Sequence, residues 1–318
     1  MTETAATPII ETKSRDFNEC FNRSPFLFRH TLGSHPLFSL ARLAKAAETM
    51  LAGSNPDHFV HRAGDGAPGG GLDRAARERV AEAVAHVDRP GSWIKLTKIQ
   101  DADPEYKELL DQILRELEER SGVPLRSEIT WVSATVFIGS PHSVTPYHID
   151  HETNFLFQIG GEKEVNLFDP FDRSVLTEEE IERFYIGELN AVNYVKANQP
   201  KAHVYRMKAG DAVHHPTLAP HWVKNGSSPT IALSVGFCMQ SLDPRARVYQ
   251  VNHYLRKLGL RPTPIDQVAW KDAAKIGALG LFSTRYPKTD REAIDSGITR
   301  IKAPARVVKG WLKRLREP

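Results

Sequence analysis

The stretch TPYHIDHETNFLFQIGGEKEVNLFDP, residues 145–170, decides how this chain is read. Apolar and aromatic residues on either side of Gly160-Gly161 predict a strand, a turn and a strand. The opening residues fit that pattern badly. His148, Asp150 and His151 are polar groups whose burial in a strand is costly unless something satisfies them. His148 and Asp150 are two apart, a spacing that sends both side chains to one face of a strand and Ile149 to the other. His151 has the opposite parity and is read as a loop residue outside any site. An imidazole beside a carboxylate supplies two ligands of a three-ligand metal site with open positions. The plain alternative is a surface histidine and aspartate at a strand end.

Working outward, SEITWVSATVFIG (127–139), AHVYRMKAGDAV (202–213) and TIALSVGF (230–237) are further short strands separated by Gly, Asn and Pro. They predict a mainly β core of the barrel or sandwich kind. Ahead of it lie a strand at 24–32, a helix at 37–51, a helix at 72–87 and a strand at 92–100. A further helix at 103–122 carries Asp103 as its cap, Pro104 at its first position and Gly122 as its stop. GDGAPGGG (64–71) breaks this pattern as a loop or lid hinge, and the insertion 172–201 contains a helix opened by Thr177 and Glu180 at capping-box spacing. Together these two segments are the expected cover for a substrate. Asp243-Pro244 opens a helix that Gly259 closes, and residues 304–318 place Val308, Trp311, Leu312 and Leu315 on one helical face. That face is read as docking on its own domain or on a partner copy, with a membrane-surface contact as the alternative. The expected organisation is a flexible tail at 1–22, a domain at 23–240 and a C-terminal helical segment at 241–318.

Composition excludes several classes. Lys plus Arg (42) against Asp plus Glu (39) leaves +3, too balanced to argue for a nucleic-acid partner. Two cysteines, Cys20 and Cys238, rule out a disulfide framework and point to a reducing compartment. The first residues have no basic-then-apolar pattern of a secretory signal, and no apolar run approaches the roughly 20 residues of a membrane span. The expectation is a cytoplasmic protein with no transmembrane segment.

The missing third ligand is supplied by GDAVHHPTLAPHWVKN, residues 210–225, which has the spacing GD-x4-P-x4-H-x-V-x-N and ends its histidine series at His221. With TPYHID in register ahead of it, the chain resembles the JmjC-type, cupin-fold oxygenases that depend on iron(II) and 2-oxoglutarate. Within them it is similar to the hydroxylases of asparaginyl side chains in hypoxia-inducible factor. Thr145, Pro146, His148, Asp150, Asn154, Phe155, Gln158, Gly161 and Lys163 all fall in register. The resemblance implies a double-stranded β-helix (jelly-roll) barrel flanked by N-terminal helices. It implies iron(II) held by His148, Asp150 and His221, the distal carboxylate of 2-oxoglutarate held by Lys163 and Thr145, and Asn154 near the co-substrate. Ser234 stands where relatives carry an asparagine, and no tyrosine stands on SWIKLTKI, where a further hydroxyl to the co-substrate is expected. Strand parity puts Lys163 with Val165 and Leu167, toward the barrel interior, where a lysine needs an anion. A snorkelling lysine on an edge strand is the alternative. Of the remaining histidines, His142 lies in a turn, and one of His214 and His215 points inward as a supporting or substrate contact. Trp131, Arg206 and Trp222 are candidates for pocket lining with no assigned role.

The implied activity is an O₂-dependent hydroxylation with release of succinate and CO₂, on a peptide or protein residue first and a small molecule second. The resemblance also implies a homodimer through the C-terminal helices. Two other readings stay open: a cupin metalloenzyme that does not use 2-oxoglutarate, and a non-catalytic binding or regulatory protein. An intact ligand set with Lys163 speaks against both.

Overall fold

The computed structural model describes residues 7–11, 15–52, 59–63, 84, 87, 92–188 and 190–280. Contacts divide the chain into two units, Met1–Ser127 with Val132–Pro170 and Ala197–Phe237, and Glu128–Trp131 with Phe171–Lys196 and Cys238–Pro318.

The strands are β1 Phe26–Arg29, β2 Phe59–Ala63, β3 Ser92–Leu96, β4 Ile129–Gly139, β5 Val144–His148 and β6 Thr153–Gly160. They continue with β7 Glu162–Leu167, β8 His203–Lys208, β9 Asp211–His215, β10 His221–Asn225 and β11 Thr230–Met239. Two sheets result, one of seven strands ordered β1-β9-β6-β11-β4-β3-β2 and one of four ordered β5-β10-β7-β8. From β4 onward each strand crosses to the other sheet, except that β7 and β8 pair directly. This alternation is a jelly roll, as expected.

The crossing corners demand particular residues. The Gly160-Gly161 step is not a hairpin within one sheet. It carries the chain from β6 in the large sheet to β7 in the small one. Gly161 has φ +70°, and a Cβ there would lie 2.3 Å from the carbonyl oxygen of Pro229. Only glycine meets both conditions. Gly161→Ala is therefore expected to lower unfolding free energy by about 2–4 kcal/mol, read as a shifted denaturant midpoint. An unchanged midpoint would mean that the corner can move.

Leu156, Val213 and Ala232 from the large sheet meet Val165, Leu167, Met207 and Val223 from the small one to fill the space between. The outer face of the large sheet is equally apolar. Phe17, Phe26, Phe28, Phe155 and Phe157 interlock there with ring centroids 5.0–6.4 Å apart. His214 joins this outer cluster, 4.5 Å from Phe155. Its Nε2 accepts from the Asn22 N–H and its Nδ1 donates to the Asn154 carbonyl, so the ring is held neutral. Burial pushes its pKa down to about 3, and burial likewise pushes that of His30 down to about 4. Both groups protonate more readily in the unfolded chain. Their stabilisation is complete above pH 6.5 and is lost as pH falls towards 4. Unfolding free energy should drop on the order of 3 kcal/mol per histidine by pH 4.5, measured by denaturant titration. A flat profile between pH 7 and 4.5 would contradict this.

Three expectations need correction. Within the supposed tail, Ile9, Ile10 and Phe17 are packed. Ile10 and Phe17 are 0% exposed, and the Ile9 and Ile10 N–H groups both donate to the Glu116 carboxylate at 2.8 Å. The pattern was too short to show periodicity. The strand from Ser92 stops at Leu96, because Lys98 takes φ +57° and begins a 3₁₀ turn at Ile99–Asp101. Finally, β5 ends at His148, so Asp150 is not a strand residue. The predicted helix at 103–122 is present as Pro104–Ser121, with Asp103 accepting from the Glu105 N–H and Gly122 at φ +69°. Segments 64–71 and 304–318 lie outside the described residues, as does most of 72–87.

In the second unit, Thr177 and Glu180 form the expected capping box of the helix Glu178–Tyr185. That helix packs on Asp243–Lys257. Arg256 forks onto Glu182 at 3.0 and 3.0 Å, and the Gln250 amide donates to the Tyr185 carbonyl at 2.9 Å. No helix among the described residues is long and apolar enough to cross a membrane.

Candidate metal centre

Pairing of β5 with β10 sets His221 directly opposite His148. The same ladder sets Val223 opposite Thr145, so Pro146 and Tyr147 on β5 face Trp222 alone on β10 and a bulge lies between. Without it, Thr145 and His148 would face opposite sides. With it, both share the inward face of His221 and Val223. The chain then leaves β5, and the Leu218 N–H fixes the loop by donating to the Asp150 carbonyl at 2.9 Å. Asp150 thus meets the histidines through a loop rather than through strand alternation.

The two imidazoles lie 4.1 Å apart between centroids. Each donates its Nδ1–H to the carbonyl two residues earlier, His148 to Pro146 at 2.7 Å and His221 to Ala219 at 2.9 Å. Those bonds fix the tautomer and leave both Nε2 lone pairs free. Both Nε2 atoms are 3.6 Å from Asp150 Oδ2. Burial opposes ionisation of Asp150, but His148, His221 and Lys95 together hold its carboxyl below the usual range. Burial first, then His148, pushes His221 down to about 4. Two neutral imidazoles and one carboxylate are the protonation states a divalent cation requires. An ion about 2.1 Å from each donor bridges such separations. The donor set fits the open-sided triad of two histidines and one carboxylate.

Deeper in the barrel, Lys163 sits on β7 opposite Asn225 and Met207 and is 7% exposed. Its ammonium has no hydrogen bond or ion pair among the described residues, and burial alone pushes its pKa down to about 8. A buried cation without a partner, on the inner face of a barrel, is costly until an anion neutralises it. Across the barrel, the Ser234 hydroxyl donates to Asn154 Oδ1 at 2.9 Å.

Residues 20–242 match the cupin-like domain family. The chain belongs to that family. No curated protein matches the sequence. Among solved structures, the chain is similar to YcfD, a ribosomal oxygenase from Escherichia coli, with 13% identity over 88% of this chain and 69% of that one and a TM-score of 0.47. The same enzyme in complex with cobalt and 2-oxoglutarate gives 14% identity over 86% and 67%, with a TM-score of 0.49. The DMSP lyase DddQ from Ruegeria pomeroyi gives 18% identity over 34% and 39%, with a TM-score of 0.22. Family membership rests on the domain match, and these distant structures add no weight to it.

In this cupin-like barrel the other residues of the GD-x4-P-x4-H-x-V-x-N pattern hold corners. Asp211 pairs with Arg29 and accepts from the Lys208 N–H at 2.9 Å. Asn225 donates to the Ser140 carbonyl at 3.1 Å and to Ser143 Oγ at 2.7 Å, closing the β4–β5 crossing. His142 is an exposed turn residue with φ +59°, and His151 is buried outside the His148–Asp150–His221 cluster. Trp222 and Arg206 do not line the interior. Trp222 donates to Gln199 at 3.2 Å on the outer face of the small sheet, and Arg206, its side chain 85% exposed, lies beside Glu164.

One residue escaped the sequence reading, and one pair it left undivided is resolved. Lys95, on β3, contributes to the field on Asp150 and lies 5.7 Å from the Phe137 ring centroid. Alternation with the fully buried Ile94 and Leu96 was the signal that could have found it. His215 is the inward member of its pair, 4.9 Å from His221 between ring centroids.

Proposed function

We propose that this cupin-like protein is an iron(II)- and 2-oxoglutarate-dependent oxygenase that hydroxylates a C–H bond, with a peptide or protein residue as first-choice substrate and a small molecule as second. The observation that carries the reading is the unpartnered Lys163 ammonium on the same inner surface as the His148–Asp150–His221 cluster. His221 pairs with Leu167 and Asn225 pairs with Lys163, so the lysine lies four strand positions beyond the metal-binding end. A short dicarboxylate would suit that interval, with Lys163 holding its far carboxylate. When bound, iron(II) and 2-oxoglutarate supply the oxidation of a C–H bond by dioxygen, with succinate and CO₂ as co-products. The chain's own part is to hold and orient. His148, Asp150 and His221 present three donors from one side and leave the other side open. Lys163 and Thr145 take the distal carboxylate, and Asn154 and Ser234 flank the co-substrate from the large sheet. Leu156, Val165, Val213 and Val223 give this end an apolar floor that limits water.

His215 favours a second reading, a cupin metalloenzyme that does not use 2-oxoglutarate, because it places another imidazole beside the cluster. One assay separates the two. Purified protein with iron(II) and ascorbate should convert 2-oxoglutarate to succinate, slowly alone and faster with a peptide library. Metal binding without 2-oxoglutarate binding or turnover would sink the oxygenase reading.

A further inference from the structure

Among the described residues, few side chains are as poorly satisfied as that of His215. The residue is 4% exposed, and neither ring nitrogen has a hydrogen-bond partner among the described residues. A neutral imidazole carries one N–H and one lone pair, and burying both without partners is destabilising. Its neighbour His214 shows the contrast, with both nitrogens bonded within the outer aromatic cluster. Alternation along β9 sends His215 the other way, onto the inner face with Val213. There it stands edge-on to His221 and opposite Asn154 in the β6–β9 ladder. Its nitrogens lie outside the cluster of converging donor atoms, which comprises His148, Asp150 and His221 alone. It is beside the metal-binding end without being part of it.

We propose that His215 is a second anchoring point for the co-substrate, donating a ring N–H to the carboxylate nearer the metal while Lys163 holds the far one. The inference rests on the oxygenase reading and extends it. A dicarboxylate in the barrel would satisfy both unpartnered groups at once, and only a ligand with anionic oxygens at both ends does so. His215 would hold the 2-oxo acid end of any such ligand, and Lys163, which a monocarboxylic 2-oxo acid would leave unpaired, selects the dicarboxylate.

The test compares wild type, His215→Leu and His215→Gln, each purified and loaded with cobalt(II) as the metal probe. Calorimetry gives the affinity for the metal alone and then for 2-oxoglutarate. His215→Leu should bind cobalt(II) within about threefold of wild type and 2-oxoglutarate some 10–100-fold more weakly. His215→Gln, which keeps an N–H donor, should recover part of the loss. Without metal or co-substrate, His215→Leu should melt no lower than wild type, because the unsatisfied polar group is gone. Unchanged 2-oxoglutarate affinity in His215→Leu would overturn the proposal, and so would a loss of cobalt(II) affinity as large as that of His148→Ala, which would make His215 a ligand. Should wild type bind cobalt(II) but no 2-oxoglutarate, the oxygenase reading fails and this proposal with it.

Discussion

Replacing His221 by alanine is expected to abolish metal binding and, with it, all 2-oxoglutarate turnover. His221 supplies one of three converging donors, and its Nε2 and that of His148 both stand 3.6 Å from Asp150 Oδ2. Two donors left on a loop and a strand end cannot reproduce a three-point grip. The apo-protein should suffer little, because the deleted ring makes one hydrogen bond, to Ala219, worth about 1 kcal/mol. The decisive readout is therefore stabilisation by the metal rather than stability itself. At a metal concentration one hundred times Kd, wild type should gain about 2.7 kcal/mol, and the variant nothing. Chelation should return wild type to the variant's behaviour. A variant that keeps the metal-induced gain would remove His221 from the site.

Lys163→Met should separate the two halves of the site. Metal affinity should stay near that of wild type, whereas 2-oxoglutarate affinity should fall by about 100-fold or more, the loss of a buried charge-assisted contact. Stability should move the opposite way. Burial lowers the lysine's pKa to about 8 in the folded protein, against about 10.4 in an unfolded chain. The unfolded state therefore binds the proton more tightly, and the buried lysine destabilises the apo-protein most below pH 8. That penalty, on the order of 3 kcal/mol, fades as pH rises from 8 to 10.4. The methionine variant should thus be the more stable apo-protein at pH 7, with the gap closing at alkaline pH. Equal affinity losses for metal and co-substrate would show that these roles are misplaced.

How far the sequence could be read depended on which interactions are local. The capping box at Thr177 and Glu180, and the Asp103–Pro104–Gly122 bounds of one helix, need only neighbours and were legible. Lys163 was placed inward correctly because its parity with Val165 and Leu167 is a property of one strand. The bulge between Thr145 and His148 was invisible, since it exists only as a mismatch between two strands. His214 and His215 could not be told apart for a related reason. The large sheet is apolar on both faces, with Phe155 and Phe157 outside and Leu156 within, so alternation does not reveal which face is inner. The packing of Ile9, Ile10 and Phe17 depends on Glu116, about a hundred residues away, and nothing near the N-terminus announces it.

The strand pairing that unites His148 with His221 also sets when the site can exist. During synthesis at about 5–20 residues per second, His148 and Asp150 emerge roughly 4–15 s before His221. Closing that long interval carries the entropic cost of non-local contacts, and β4 must wait longer still for its neighbour β11. A nascent chain therefore presents a His-x-Asp pair without its third donor until β10 has been made. Binding through all three donors therefore belongs to the finished barrel, where the His148 and Asp150 side chains keep about a third of their surface exposed.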